Sequence, residues 1–475
     1  MARATSLIEA HLNRVREFFD TGPRESSWFG GVYREFVAGY YRFLIPPDAS
    51  ILEVGCGAGE LLTQLPNRDV SGVDLSCRQV ERAREIVPHG KFYLGAAEFL
   101  GESSLPKRKF DYIVLSELVN YAADVQGIFE ELRIFAGPDT RLVQNFYNTL
   151  WYPILKMATI LGLKRPQPVV NWLSCADVKN LLALSDWELI REAHHILLPM
   201  RALGMGTALN RFIAPFLKHL CLTTFLIARP RIGRAEQAPT VSVIIPARNE
   251  AGNIEAAVQR IPEMGRSTEI IFIEGYSKDD TLEQIQRTAA KSSRDIKCLR
   301  QTGTGKGNAV REAFAVASGD LLMILDADLT MPPEELPKFY EALISGRTEF
   351  ANGVRLVYPM EHRAMKFLNM CANKFFSIAF SWVLGQPVKD TLCGTKALSR
   401  QNYFRISANR SFFGDFDPFG DFDLLFGANK LNLKITDIPV RYRERTYGRT
   451  NIHRWSHGWL LLKMLAFALL RIKFV

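Results

Sequence analysis

The chain has 475 residues, 47% of them hydrophobic, and a formal net charge of +9. This length is too great for one ordinary hydrophobic core, so we expect two or three globular domains. Seven scattered cysteines without a CxxC pair argue against a zinc site or a disulfide framework and for a reducing compartment. The first twenty residues carry charges throughout and lack an apolar h-region, which argues against a secretory signal.

The positive charge is concentrated near the C-terminus. Positions 441–475 hold eight Lys or Arg and one acid, whereas the rest of the chain is almost neutral. A basic segment on a near-neutral body indicates anionic lipid or phosphate rather than wrapped nucleic acid. We therefore predict an anionic membrane surface as a partner and no nucleic acid.

The first predicted strand-to-helix turn is rich in glycine. Residues 51–54 (ILEV) form a short strand, and Gly-Cys-Gly-Ala-Gly follows at 55–59 before a predicted helix. A second strand, 70–73, ends in Asp74, about twenty residues after the first glycine, where an acid that binds ribose hydroxyls is expected. This combination predicts a site at which the backbone passes close to a nucleotide-like ligand.

This region resembles the class I S-adenosylmethionine-dependent methyltransferases. LEVGCGAGELL (52–62) looks like their first motif, VDLS (73–76) like their second, and FDYIVLSE (110–117) like the strand of their fourth. The resemblance implies a Rossmann-like domain over 1–228 with S-adenosyl-L-methionine as its cofactor. The cofactor residues that it implies are Glu53, Gly55, Gly57, Gly59, Asp74, Glu98 and Ser116.

The methyltransferase-like region departs from its family at one position, since Ala96 stands where an aspartate usually binds the adenine amine. No residue stands out as a base for methyl transfer, which can proceed largely by positioning. Tyr121, His194 and His195 are candidates for a catalytic or a structural role. A domain that has lost its cofactor is the alternative. The apolar stretch 194–228 fits either a hydrophobic substrate wall or a seam against a second domain.

A polar, proline-containing segment separates two apolar-rich regions at 229–240. A new buried strand begins directly after it, at 241–245. We predict a linker at 229–240, a second domain at 241–455, and a basic and apolar C-terminal helix at 456–475.

Acidic side chains follow several predicted strands of the second domain. Glu250 and Glu274 come after the strands at 241–245 and 269–273, and a third strand runs into Asp326 and Asp328. Alternating strands and helices build a mainly parallel sheet, so these acids gather at one edge. Two acids one residue apart would repel unless a hard cation lay between them. The alternative is an acidic turn that caps the next helix.

From 241 to about 451 the chain resembles the inverting family-two glycosyltransferases, which have the GT-A fold. Among them, it is similar to the dolichyl-phosphate mannose synthase type. The matching motifs are PARNE (246–250), IEGYSKDDT (273–281), TGTGKGNAV (302–310), DAD (326–328), DTLCGTK (390–396) and RTYGRTN (445–451).

The glycosyltransferase resemblance implies transfer of a sugar from a nucleotide diphosphate donor. Mg²⁺ or Mn²⁺ held by Asp328, with help from Asp326, would stabilise the charge that grows on the leaving diphosphate. Asp390 is the expected general base if the acceptor is a hydroxyl, whereas an anionic phosphate acceptor needs none. The residues expected around the donor nucleotide and its phosphates are Pro246, Ala247, Arg248, Glu250, Glu274, Lys306, Asp326, Lys396 and Arg445.

The glycosyltransferase-like region also departs from its family. Gly275 replaces a second acid, Thr330 replaces a metal-binding glutamine, and Lys396 replaces an arginine. The glycine-lysine run is not a Walker loop, because no Ser or Thr follows Lys306. The acidic and aromatic segment 414–423 fits either a sugar pocket or a surface loop.

The sequence therefore predicts an α/β enzyme of two domains, a methyltransferase joined to a glycosyltransferase that acts on a lipid-linked acceptor, with polyprenyl phosphate as first choice. The alternative is transfer to a glycan hydroxyl, with a non-catalytic N-terminal docking domain. The segment 459–470 falls short of the roughly 20 residues of a spanning helix, and 363–384 carries a polar stripe opposite an apolar face. We expect both to lie on the cytoplasmic face of a membrane. Core or oligomer contacts are the alternative.

Overall fold

The structure is a computed structural model that describes residues 2–21, 28–162, 170–201, 204–358, 367–412, 422–445, 447 and 454–475. It contains two compact units, Met1–Arg231 with Phe474–Val475, and Ile232–Lys473. Each unit has one seven-stranded sheet with helices, which confirms the predicted α/β class. The division lies inside the segment 229–240, although Arg229 and Pro230 still belong to a strand of the first unit.

The first unit alternates strands and helices along most of its length. Its helices are α1 (Ala2–Thr21), α2 (Trp28–Leu44), α3 (Cys77–Ile86), α4 (Val125–Leu132), α5 (Tyr152–Ile160), α6 (Cys175–Leu184) and α7 (Met205–Ala208). Its strands are β1 (Ile51–Val54), β2 (Val70–Asp74), β3 (Lys91–Leu94), β4 (Phe110–Ser116), β5 (Ala136–Tyr147), β6 (Trp187–His195) and β7 (Thr223–Pro230).

The first sheet has the order β3-β2-β1-β4-β5-β7-β6. Strands β1 to β5 are parallel, whereas β7 is antiparallel to both of its neighbours, β5 and β6. The sheet side chains Leu52, Ile113 and Leu226 share a core with Ile128 and Phe129 of α4. The strand order reverses direction at β1 and β4, so their carboxyl ends form the crevice in which such sheets bind ligands.

The second unit repeats this alternation around its own sheet. Its helices are α8 (Ile254–Arg260), α9 (Thr281–Lys291), α10 (Lys306–Val316), α11 (Leu336–Ile344), α12 (Phe367–Leu384), α13 (Arg400–Ala408), α14 (Phe422–Lys430) and α15 (Arg454–Ala468). Its strands are β8 (Val241–Ala247), β9 (Thr268–Glu274), β10 (Ile296–Arg300), β11 (Leu321–Ile324), β12 (Phe350–Val354), β13 (Lys396–Ser399) and β14 (Ile435–Pro439).

The second sheet has the order β10-β9-β8-β11-β13-β12-β14. Strands β8 to β11 are parallel, and β13 runs antiparallel between β11 and β12. Val243, Ile270 and Met323 of this sheet share a core with Ile254 of α8 and Leu336 of α11. The crevice between β8 and β11 is the switch point of this sheet, which brings the loops after both strands together.

Candidate functional site

The glycine loop after β1 is held against the end of β2. Gly55, Gly57 and Gly59 have φ values of +73°, +51° and +74°, a backbone conformation that favours glycine. The amide of Gly57 donates to Oδ2 of Asp74 at 2.8 Å, and the amide of Ser76 donates to Oδ1 at 2.9 Å. The loop and the predicted ribose-binding acid therefore form one local arrangement at the switch point of the first sheet.

Glu53 lies beneath this loop with an unsatisfied oxygen. The residue is 2% exposed, and burial, with the nearby Asp74 carboxylate, raises the pKa of Glu53 well above its usual value. Its Oε2 atom has no hydrogen-bond partner within the described part of the chain. Buried polar atoms of this kind are rarely left unpaired, so a bound molecule with a donor group fits here. The residues present therefore fit a nucleoside cofactor.

The other two predicted cofactor residues lie on neighbouring segments of the same unit. Glu98 is buried and accepts a hydrogen bond from the amide of Ala123 at 2.9 Å. Ser116 is the last residue of β4, at the carboxyl edge of the sheet. Both positions agree with an extended site along this edge.

A polar cluster that the sequence analysis did not identify lies at the ends of β4 and β5. Glu117 has a φ of +60°, which is uncommon for a residue with a side chain. The hydroxyl of Tyr147 donates to Oε2 of Glu117 at 2.8 Å, and the hydroxyl of Tyr41 donates to Oδ1 of Asn145 at 2.8 Å. Strained residues often mark functional sites, so Glu117 becomes a candidate acceptor-site residue. The available signal was the acid that ends the motif FDYIVLSE (110–117).

The three residues that the sequence offered as alternative bases each have a partner in the fold. Burial, with the nearby Glu117 carboxylate, raises the pKa of Tyr121. His194 has its Nδ1 atom 3.2 Å from Oγ1 of Thr224, and the ring of His195 lies 3.8 Å from that of Tyr40. These contacts agree with structural roles.

In the second unit, Lys306 and Asp326 form an ion pair at the carboxyl end of β11. The Nζ atom of Lys306 lies 2.6 Å from Oδ1 of Asp326. Burial alone would raise the pKa of Asp326, but Lys306 lowers it below its usual value. Gly394 lies beside this pair, and a Cβ atom there would overlap both Oδ2 of Asp326 and Nζ of Lys306. The DTLCGTK segment (390–396) therefore packs directly against the ion pair of Lys306 and Asp326.

Arg445 connects Asp328, the other predicted metal ligand, to Glu250 in the loop after β8. The Nη2 atom of Arg445 donates to Oδ2 of Asp328 at 2.6 Å, and its Nη1 atom donates to Oε1 of Glu250 at 2.7 Å. Thr330 donates its hydroxyl to Oδ1 of Asp328 at 2.8 Å. Five predicted residues therefore meet at one edge: the acids Glu250, Asp326 and Asp328 and the cations Lys306 and Arg445.

Two other predicted site residues are fully buried and bound to the fold. Both oxygens of Asp390 accept hydrogen bonds from the Arg355 guanidinium. Lys396 donates its Nζ atom to Oδ1 of Asn352 at 2.9 Å and to the carbonyl of Cys393 at 2.8 Å. Lys396 therefore sits beneath the edge rather than on it, and its positive charge contributes to the lowered pKa of Asp326.

The remaining donor-site residues lie at the ends of β8 and β9. Pro246 and Ala247 are the last two residues of β8, and the amide of Gly275 donates to the carbonyl of Ala247 at 3.0 Å. Arg248, the next residue after β8, is exposed. Glu274 is buried at the end of β9 and accepts from the amide of Ser277. These residues line one continuous edge.

The carboxylates of Asp326 and Asp328 have the chemistry that a hard divalent cation requires. Mg²⁺ binds through one or two protein carboxylates together with substrate phosphates, so a complete protein cage is unnecessary. Within the described ranges, no group of three His, Cys, Asp or Glu side chains is arranged to hold a metal. The two carboxylates therefore fit Mg²⁺ or Mn²⁺ only in company with phosphate oxygens. The segment 414–421 and most of 446–453 lie outside the described residues.

Comparison with known families identifies both units. A model described as "Methyltransferase domain" matches residues 45–162, and one described as "Glycosyl transferase family 2" matches residues 242–405. The chain therefore carries a methyltransferase domain followed by a family 2 glycosyltransferase domain, as the two resemblances implied.

Each of the curated relatives matches part of this chain. Dolichol-phosphate mannosyltransferase of Pyrococcus furiosus is 40% identical over 120 residues, 25% of this chain and 33% of that protein. The Saccharomyces cerevisiae protein of the same name is 34% identical over 135 residues, 26% of this chain and 51% of that protein. The undecaprenyl-phosphate 4-deoxy-4-formamido-L-arabinose transferase of Aeromonas hydrophila is 36% identical over 217 residues, 44% and 62% of the two chains. This chain thus spans less than two thirds of each relative.

Among solved structures, glucosyl-3-phosphoglycerate synthase of Mycobacterium tuberculosis, in complex with Mn²⁺, uridine diphosphate and glucosyl-3-phosphoglycerate, aligns with a TM-score of 0.37. It is 21% identical, and the alignment covers 50% of this chain and 80% of that one.

Proposed function

We propose that this chain, which joins a methyltransferase domain to a family 2 glycosyltransferase domain, catalyses two transfers. Its second unit moves a sugar, with inversion, from a nucleotide diphosphate donor to polyprenyl phosphate with the help of Mg²⁺ or Mn²⁺. Its first unit moves a methyl group from S-adenosyl-L-methionine. The names of the relatives, which refer to dolichol phosphate and undecaprenyl phosphate, support the choice of acceptor.

The observation that carries the glycosyl transfer is the alternation of acids and cations at the carboxyl edge of β8 and β11. Asp326 and Asp328 would hold the metal, which neutralises charge on the leaving diphosphate when it is bound. Lys306 and Arg445 already lie within hydrogen-bond distance of these acids, so both cations are placed to contact phosphate oxygens. Charge that develops as the sugar bond breaks is then stabilised by groups fixed in advance.

The environment of Asp390 favours a phosphate acceptor. Since the Arg355 guanidinium occupies both oxygens of this carboxylate, Asp390 in this arrangement is poorly placed to take a proton. A phosphate oxygen is already anionic and needs no base. This chemistry agrees with a polyprenyl phosphate rather than a glycan hydroxyl.

The glycosyl transfer is tested with purified full-length protein, Mn²⁺ and a panel of UDP- and GDP-sugars. Release of the nucleoside diphosphate is measured with polyprenyl phosphate, with an oligosaccharide acceptor, and with neither. We expect release with one donor that depends on both the lipid phosphate and the metal. Release that depends instead on a glycan acceptor would contradict the proposal.

Cofactor binding by the first unit is tested by isothermal titration with S-adenosyl-L-methionine. We expect binding that Asp74→Ala abolishes, because the carboxylate both contacts Gly57 and is the predicted ribose ligand. Asp69→Ala is the matched control, since Asp69 directly precedes β2 and is about half exposed in a surface ion pair with Arg108. The absence of binding by the wild type would favour a domain that has lost its cofactor.

The C-terminal helices support a peripheral position on the cytoplasmic face of a membrane. Within the described residues, no helix is both long and apolar enough to span a bilayer. Phe375 and Ile378 of α12 are 56% and 66% exposed, and Trp459 of α15 is 62% exposed. Two members of the predicted polar stripe, Asn373 and Ser377, are buried instead of exposed. Exposed apolar side chains beside a basic segment fit an interfacial anchor.

The membrane proposal is tested by flotation with vesicles of phosphatidylcholine and phosphatidylglycerol at low and high salt. We expect flotation at low salt that weakens as salt screens the basic segment. A variant that ends at Ser456 loses the exposed side chains Trp459, Leu462 and Leu470, together with three of the eight Lys or Arg residues of 441–475. If it floated as well as the full chain, the C-terminal segment would have only a packing role.

A further inference from the structure

The first unit carries an apolar surface near the Glu117 cluster at the carboxyl edge of its sheet. Two segments form it, 150–161, which contains α5, and 216–220. They lie side by side, because Nε1 of Trp151 donates to the carbonyl of Leu220 at 2.8 Å and Nδ2 of Asn148 donates to the carbonyl of His219 at 3.0 Å. Its exposed members are Leu150, Tyr152, Ile154, Met157, Ile160, Leu161, Phe216, Leu217 and Leu220. We call this surface the apolar lip.

Helix α5 contributes nothing to the core of its unit. None of its residues is buried, and Met157 and Ile160 are 62% and 76% exposed. Isolated surface leucines are ordinary, but a joined patch of this kind marks a binding surface. A helix of nine residues is also marginal in water without packing. These properties indicate that the lip is covered when the protein works.

The charge of the chain segments that form the lip indicates what covers it. No acidic residue occurs in positions 140–176 or 193–235, which include both lip segments. Lys156 and Lys218 are exposed on the lip itself. Aliphatic and aromatic side chains flanked by lysine, without any acid, are the composition of a surface that inserts into an anionic lipid interface.

An aromatic connection joins the lip to the Glu117 cluster. The ring of Tyr152 lies 4.9 Å from that of Trp172, which in turn lies 6.4 Å from that of Tyr147. Tyr147 donates its hydroxyl to Glu117. A molecule that is anchored in lipid at the lip would therefore have its polar part close to the carboxyl edge of the first sheet.

We propose that the first unit docks on an anionic membrane through the apolar lip, so that its methyl acceptor is carried by a membrane lipid. The choice of acceptor rests on the proposed methyl transfer, whereas the docking itself does not. The lip residues differ from those proposed for α12 and α15, although the ring of Phe216 lies 6.2 Å from that of Phe474, which follows α15 in the chain.

The test uses the full-length protein and a phospholipid with a photoreactive diazirine at the end of its acyl chain. The lipid is mixed into vesicles of phosphatidylcholine with and without phosphatidylglycerol, and labelled peptides are mapped by mass spectrometry. We expect label on 150–161 and 216–220, stronger with phosphatidylglycerol. Peptides from the two lip segments differ in mass from peptides of α12 and α15, so the label at each proposed membrane contact is measured separately.

The double variant Met157→Asp/Ile160→Asp should reduce label on both lip segments by about tenfold or more, since two apolar side chains no longer enter the lipid. Label on α12 and α15 should remain. Leu184→Asp is the matched control, because Leu184 is 58% exposed and precedes β6, which starts at the opposite edge of the sheet. We expect it to label as the wild type does.

Two results would overturn the docking proposal. The first is an unlabelled lip in a protein whose α12 and α15 are labelled, and the second is equal label on the lip with and without phosphatidylglycerol. Titration with S-adenosyl-L-methionine in the double variant separates this proposal from the proposed methyl transfer. Unchanged cofactor binding with lost lip label supports a docking role, whereas loss of both would indicate a disturbed fold and contradict a surface role for the lip.

Discussion

Arg355 binds both carboxylate oxygens of Asp390: Nε lies 2.7 Å from Oδ2 and Nη2 lies 2.9 Å from Oδ1. Asp390 is completely buried, and Nδ2 of Asn373 and the amide of Leu392 also donate to it. Burial alone would raise the pKa of Asp390, but the neighbouring guanidinium lowers it. The carboxylate therefore stays ionised at neutral pH and joins α12 to the DTLCGTK segment.

We expect Asp390→Asn to destabilise the second unit by about 3 to 5 kcal/mol, because it leaves the Arg355 charge buried without its partner. Thermal unfolding of the full chain measures this loss. Asp69→Asn is the comparison, since it breaks a similar but exposed pair with Arg108 and should cost about 1 kcal/mol or less. A stable Asp390→Asn enzyme whose rate lost its acid limb would instead identify Asp390 as a base and favour a hydroxyl acceptor.

Asp328→Asn should slow sugar transfer by roughly 100-fold or more while the fold survives, since it removes a charge from the proposed metal site at nearly constant volume. Steady-state rates at several Mn²⁺ concentrations measure the effect. Asp320→Asn makes the same change at the opposite end of β11 and should leave the rate within about twofold, as expected for a surface substitution. Wild-type rates in Asp328→Asn without metal would contradict the assignment.

Gly394→Ala should weaken binding of the donor nucleotide, because its Cβ atom must displace Asp326 or Lys306. We expect the dissociation constant for the nucleoside diphosphate to rise by about tenfold or more, the equivalent of about 1.4 kcal/mol. Gly233→Ala is the control, since a Cβ atom at that position meets no atom within 4 Å. Equal affinity in both variants would show that the close approach of this loop is not needed for the donor.

Glu269 should make the second unit sensitive to acid. Burial alone would raise its pKa, but Lys297, the hydroxyl of Ser242 and the amide of Ser318 lower the pKa of Glu269 from 4.5 to about 2. Its stabilisation is therefore complete above pH 4.5 and is lost as the pH falls towards 2. Its size is on the order of 3 kcal/mol. Glu269→Gln should lower the unfolding temperature clearly at neutral pH and much less near the folded pKa.

If the unfolding temperatures of Glu269→Gln and the wild type differed by the same amount at neutral pH and near the folded pKa, this account of Glu269 would be contradicted. Glu312→Gln is a useful second comparison. Hydrogen bonds from Thr302 and Gly303 lower the pKa of Glu312, as those around Glu269 do, but the contact between Thr302 and Glu312 lies at the surface. Its effect on stability should be small at every pH.

The sequence predicted the elements that depend on local order along the chain. Asp74, Asp326 and Asp328 lie where a strand ends and a helix follows, because hydrophobic runs and glycines are visible one after another. The glycine loop also lies at the end of its strand, but the helix predicted to follow it is only the 3₁₀ turn Leu62–Gln64. Contacts between side chains that are far apart in the sequence could not be predicted from local patterns. Arg355 precedes Asp390 by 35 positions and carries no motif, so only the folded chain shows that it occupies the carboxylate.

The orientation of α12 was also not predictable from the sequence. Its periodicity predicted an amphipathic helix, and the structure contains one from Phe367 to Leu384. However, periodicity does not state which face meets the core. Asn373 is buried because it donates to Asp390, and Ser377 is buried because it donates to the carbonyl of Val388. Glu117 escaped the sequence analysis for a related reason, since its left-handed backbone depends on the loop after β4.

Strand β7 constrains how the first unit folds while the ribosome is still making the chain. It lies between β5 and β6, two strands that are synthesised before it. Until the nascent chain has emerged through Pro230, β5 lacks a partner along one edge and β6 lacks its neighbour in the sheet, and an unpaired edge invites association with other chains. Because domains fold as units during synthesis, the methyltransferase sheet closes only as translation enters the second unit. A chain cut at residue 162, where the methyltransferase match ends, would lack this closing strand.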